Sequence, residues 1–167
     1  AALAMGSDVS LVGINASQSA DAMTNFAKAG LDTTEMFGDL QGYLAGTAEL
    51  GGALRVAVDL AAASELDLAA ASDVVTVAMS TFGVDAKEAS DIANSFVQSA
   101  DASVASVADL SEALLNLGPT AASMGMSLEE TNTALAILST RGITGAEAGT
   151  ALKSMLMNMQ SQTDKTI

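Results

Sequence analysis

The 167 residues contain no cysteine, no histidine and no tryptophan, one proline, and only 3% aromatic side chains. Without cysteine, disulfides and thiolate metal sites are excluded. Without histidine, the chain lacks the commonest general base and the commonest transition-metal ligand. Serine and threonine are abundant, yet no visible base stands near them to activate a hydroxyl. Basic residues are also scarce: 6 Lys and Arg face 20 Asp and Glu, for a formal net charge of −14. A surface this acidic is repelled by phosphate backbones and anionic lipid, which argues against sequence-independent nucleic-acid binding. The charge reads first as a solvated surface, and second as a means of docking to a basic partner. No membrane-spanning run is present. The uncharged stretch from Ala113 to Leu128 contains Asn116, Gly118, Pro119, Thr120 and Ser123, and a span needs about 20 apolar residues. Residues Ala1 to Gly13 lack the basic start of a signal peptide. A chain that opens on Ala1 reads as a piece of something longer.

What the chain does have is a repeated joint. Four times a glycine, an apolar residue and a Ser, Thr or Asp are followed three residues later by Glu. These are Gly30-Leu31-Asp32 with Glu35, Gly83-Val84-Asp85 with Glu88, Gly125-Met126-Ser127 with Glu130, and Gly142-Ile143-Thr144 with Glu147. Each reads as the end of one helix fused to the start of the next. The glycine takes the left-handed position just past the first helix, and the apolar residue packs back on that helix. The Ser, Thr or Asp then caps the next helix, and the Glu closes a capping box. Ser64-Glu65-Leu66-Asp67 forms a fifth joint without the glycine, and Ser106 with Asp109 looks like another cap.

Half the residues are apolar, and Ala, Leu, Val and Met supply them. Helices rich in alanine pack at short interaxial distances. Helical periodicity places Met23, Phe26 and Ala27 on a first helix from Ser17 to Ala29. A second, from Asp32, carries Met36, Phe37, Leu40, Tyr43 and Leu44, with a break expected near Gly46 or Gly51. Leu54, Val58 and Ala61 follow on a third. The next helix, Asp67 to Phe82, buries Ala71, Val75, Ala78, Met79 and Phe82, and it absorbs the β-prone run Val74 to Val77. Ala86, Ala89, Ile92, Ala93, Phe96 and Val97 share one face after Gly83. Val107, Leu110, Leu114 and Leu117 lie on a helix that Gly118-Pro119 should end, with Pro119 opening a short new one. Leu128, Leu135, Ile137 and Leu138 come next, then Ala148, Leu152, Met155, Leu156 and Met159. The expected fold is all-α: a compact bundle of about seven to nine short helices joined by tight turns. Residues 1–16 read as the end of an upstream helix or a linker, 17–160 as the helical core domain, and 161–167 as a linker or frayed end.

Catalytic groupings are nearly absent. Glu129 and Glu130 point to different sides of a helix, and capping plus the helix dipole accounts for both. Asp85, Glu88 and Asp91 lack the spacing of a calcium loop. Gly142 to Gly145 is followed by no Lys-Ser/Thr pair, so it is not a phosphate loop. No cofactor or metal is expected. The C-terminal helix is the candidate interaction element, through Leu152, Met155, Leu156, Met157 and Met159. Met155 and Met159 keep core register and read as core filling, whereas Met157 lies off that stripe and makes the helix apolar on more than one side.

The span from about Ala20 to Met159 resembles the core domain of the phage tail tape measure protein family. The resemblance rests on Phe26-Ala27-Lys28-Ala29-Gly30-Leu31, Val58-Asp59-Leu60-Ala61-Ala62-Ala63 and Ser80-Thr81-Phe82-Gly83-Val84. It is most specific at Asp109 to Leu114, Gly118-Pro119, Met124 to Thr131, Arg141 to Gly145 and Ala148 to Met155. It implies a structural virion protein and not an enzyme: one that sits in the tail tube or tip, acts in tail assembly and length determination, and leaves with the genome at infection. The partners it implies are tail tube and tail tip or baseplate proteins and further copies of itself, as a trimer. It implies no sequence-specific nucleic acid. Contact with the host membrane after ejection is the rival expectation, as part of an ejection channel; positive mean hydropathy and small-residue helices favour it, and acids in every helix oppose it.

Overall fold

A computed structural model describes residues 16–46, 51–64, 66–85 and 88–163. The expectations for residues 1–14, for Glu65, for Ala86 and for the last four residues lie outside these, as does the side chain of Tyr43. Among the described residues the chain forms nine helices and no strand. They are α1 (Ala16–Lys28), α2 (Thr33–Phe37), α3 (Leu40–Ala45), α4 (Gly52–Ala62), α5 (Leu68–Phe82), α6 (Ala89–Asp101), α7 (Val107–Ser123), α8 (Leu128–Ser139) and α9 (Gly145–Thr163). The Val74 to Val77 run is helical, with Val74 and Val75 in the core.

The joints form as local bonding dictates. Gly30, Gly83, Gly125 and Gly142 all have φ between 69° and 89°. At three of them a pair of crossed hydrogen bonds closes the helix. For α8, the Ile143 N–H donates to the Leu138 carbonyl at 3.2 Å and the Gly142 N–H to the Ser139 carbonyl at 2.8 Å. The same pair joins Met126 to Ala121 and Gly125 to Ala122, and Leu31 to Phe26 and Gly30 to Ala27. These otherwise orphaned carbonyls are thereby satisfied within the chain. Complete capping boxes follow at Asp32 with Glu35 and at Ser127 with Glu130, and a third forms at Ser106 with Asp109. Asp67 caps α5 by accepting from the Ala70 N–H. At Gly83 the next helix starts only at Ala89.

Two compact units are present, residues 1–93 and 94–167, with the boundary inside α6. In the first unit α5 packs on α1 and α4, and α2 packs on α4. Phe26, Leu54, Ala57, Leu60, Leu68 and Val75 fill its core. The buried face of α1 is Ser19, Ala22 and Phe26, with Ala27 exposed. Asn25 ties α1 to α5 by donating to Ser72 Oγ at 3.1 Å and Asp73 Oδ1 at 3.0 Å. The expected second helix is divided earlier than Gly46, at Gly38, where φ is 64° and ψ is −123°. The reason is a close backbone crossing: the Gly51 N–H donates to the Phe37 carbonyl at 3.1 Å, and a Cβ on Gly52 would collide with the Glu35 and Met36 backbone.

In the second unit α9 lies along α7, and α8 touches both. Neighbours advance together along the two chains. Gly145 meets Asp109 and Glu112, Gly149 meets Ala113, and Thr150 and Lys153 meet Asn116. The helices α7 and α9 are therefore parallel, with α8 as the return. Pro119 does not end α7, contrary to the sequence expectation; the helix continues through it to Ser123. Pro119 removes the N–H that would reach the Leu115 carbonyl. Both residues are exposed, so that carbonyl lies on the water side, while buried Leu114, Leu117, Gly118 and Ala121 hold the helix from the other.

Candidate interaction surface

The C-terminal helix sorts the five candidate residues into two groups. Leu152 and Leu156 are core, at 3% and 6% exposure. They continue a stripe with Gly145, Ala148 and Gly149, all buried. Met155, Met157 and Met159 are exposed at 51%, 55% and 56%. The reading of Met155 and Met159 as core filling is thus corrected. Met155 lies beside the stripe and not on it. Met159 shares the register of the stripe but comes one turn after Leu156, the last covered residue of α9 among those whose side chains are described. From Met157 to Ser161 every residue is exposed. The end of α9 therefore presents methionine on opposite sides, Met157 on one and Met155 with Met159 on the other. Periodicity alone could not reveal this, because it reports which residues share a face and not where the neighbouring helix stops.

Ile137 is corrected in the same way. It is 61% exposed, and α8 buries Leu128, Thr131, Asn132, Leu135 and Ala136 instead.

A second feature of this unit had no signal in the sequence. Between α6 and α8 lies a half-open cavity of about 250 Å³. Ser95, Gln98, Ser99 and Ala102 line one wall. Glu129, Thr133 and Ala136 line the other. Behind the wall, fully buried Asn132 donates from Nδ2 to Ser95 Oγ at 3.0 Å, while its Oδ1 has no hydrogen-bond partner. At the rim, Ser127 Oγ donates to Glu129 Oε2 at 2.8 Å.

Among the described residues no group of three acidic, His or Cys side chains could hold a metal ion, and no helix is long and apolar enough to cross a membrane. Glu130 serves the capping box at Ser127.

The described residues are all-helical apart from turns, in short capped helices, and their distinctive surfaces are the exposed methionines of α9 and the groove between α6 and α8. Residues 1–167 match the family described as phage-related minor tail protein, and the chain belongs to it. It is a component of the phage tail. Among curated proteins it is 34% identical over 149 residues to the tape measure protein of Pneumococcus phage Dp-1. That alignment takes in 89% of this chain and 12% of the relative. The chain therefore spans about an eighth of the length of the relative it matches. No solved structure matches it.

Proposed function

We propose that this chain is a compact docking module of a tape measure protein, sited in the tail tube or tip. It acts there in tail assembly and length determination, without enzymatic activity, and leaves with the genome at infection. The observation that carries the reading is the succession of capped joints. Among the described residues the longest helix, α9, has 19 residues and reaches roughly 28 Å at about 1.5 Å per residue. Turns at Gly125 and Gly142 fold the chain back so that α8 returns between parallel α7 and α9, and Gly30 and Gly83 take the same left-handed conformation after α1 and α5. A measuring element needs length and regularity. Such helices belong to the remainder of a much longer protein, and residues 17–160 dock or cap.

The exposed end of α9 is the docking surface of this module. Met155, Met157 and Met159 are flexible and polarisable, and they adapt to a partner without a fixed complementary shape. The partners are tail tube and tip proteins or further copies of the chain.

An in-frame deletion of residues 17–160 in the phage, with particles imaged by electron microscopy, tests the proposal. Absent tails or tails of unregulated length support docking. Intact tails shortened in proportion to the deleted residues would make the segment part of the ruler and overturn it.

A further inference from the structure

We propose that the groove between α6 and α8 binds a cationic side chain, arginine or lysine, presented by a basic segment of a partner protein. The cavity of about 250 Å³ is an order of magnitude beyond what one water requires. It has the capacity for an extended side chain. Its lining offers three kinds of surface. Ala102 and Ala136 offer apolar surface for a methylene stem. Ser95, Ser99 and Thr133 offer hydroxyl oxygens that accept hydrogen bonds. Glu129 offers a carboxylate whose Oε2 is held by Ser127, leaving Oε1 for an incoming donor.

The groove is mostly apolar surface bearing hydroxyls and one carboxylate, with no basic side chain among its lining residues, which suits a ligand with an apolar stem and a cationic, donor-bearing end. Asn132 is tied to this wall from behind, donating from Nδ2 to Ser95 Oγ at 3.0 Å. The formal charge of −14 adds long-range attraction for any basic partner. The inference rests on the docking reading only for the source of the side chain, a tail protein.

The test is a titration of the whole 167-residue chain, followed by amide chemical shifts. The probes are Nα-acetyl-arginine methylamide, its lysine counterpart, and the citrulline analogue, which keeps the arginine shape but carries a carbonyl in place of one terminal NH2 and has no charge. Saturable shifts at Ser95, Ser99, Glu129 and Thr133, with movement of the Asn132 side-chain amide, are expected for the cationic probes. The arginine and lysine arms show which cation fits better. Binding is expected to weaken about threefold for citrulline and about threefold in Glu129→Gln, the scale of an exposed ion pair. Glu129 is exposed and Gln keeps an acceptor for Ser127, so this variant folds. Absence of shifts at these residues, equal binding of citrulline, or shifts spread evenly over all surface acids would overturn the proposal. Tail assembly is not the readout, so failure of the docking reading and failure of this one remain distinguishable.

Discussion

The position a Cβ would take on Gly149 lies 2.7 Å from the carbonyl oxygen of Ala113 and 3.0 Å from its Cα. No side chain fits there, so α7 and α9 touch backbone to backbone at this crossing. Asn116 reinforces it, donating from Nδ2 to Thr150 Oγ1 at 3.0 Å and accepting at its carbonyl from Lys153 Nζ at 3.3 Å. Replacing Gly149 by Ala raises helix propensity by about 1 kcal/mol but overpacks the crossing, at a cost of about 1–3 kcal/mol. The net expectation is a chain destabilised by about 0–2 kcal/mol in urea unfolding. A stabilised Gly149→Ala variant would mean that the helices do not approach this closely.

Gly52 and Gly142 both have positive φ, 63° and 84°, but differ in their surroundings. A Cβ on Gly142 meets nothing within 4 Å, whereas one on Gly52 falls on the backbone of Glu35 and 2.7 Å from the Met36 carbonyl carbon. Gly142→Ala should cost about 1–2 kcal/mol, the left-handed penalty alone. Gly52→Ala should cost more than about 3 kcal/mol, or abolish folding of the first unit. Thermal and urea unfolding of the two variants side by side would separate strain from collision.

The capping box at Ser127 has both of its reciprocal bonds, Glu130 N–H to Ser127 Oγ at 3.1 Å and Ser127 N–H to Glu130 Oε2 at 3.0 Å. Ser127→Ala is expected to lower stability by about 1 kcal/mol, and Ser127→Gly by only a few tenths. A measured order of Gly below Ala would refute the capping role.

On α9, Met157→Glu should change folding stability by less than about 0.5 kcal/mol while reducing tail assembly in a complementation assay. Leu156→Ala should cost about 2–5 kcal/mol, because that side chain is core. Equal loss of folding and assembly in Met157→Glu would remove the docking role of this helix end.

The buried pair of Ser95 and Asn132 carries an unsatisfied acceptor, so removing both polar groups removes that penalty too. The double variant Ser95→Ala/Asn132→Leu is expected to be within about 1 kcal/mol of the original or more stable, whereas Ser95→Ala alone, which strands the whole Asn132 amide, should cost about 1–3 kcal/mol. Calorimetric melting of the three proteins provides the comparison.

The sequence by itself determined the joints, the helical class and the tail-protein family. Bonds such as Ile143 to Leu138 and Ser127 to Glu130 close within a few residues, so glycine, apolar residue and cap can be read in order without knowledge of any neighbour. Most core positions were also legible, since Leu110, Leu114 and Leu117 or Ala71, Val75 and Ala78 recur at helical spacing. The tertiary structure alone decided what depends on a second element. Whether Met155 and Met159 are covered depends on where α7 leaves α9. Whether Pro119 ends α7 depends on the packing of Leu117, Gly118 and Ala121 opposite it. Gly38 interrupts the early helix because Gly51 and Gly52 cross there, and the α6–α8 groove exists only because Ser95 and Asn132, far apart in sequence, come within hydrogen-bonding distance. Burial and close approach are properties of pairs of elements, and periodicity within one helix carries no term for its partner.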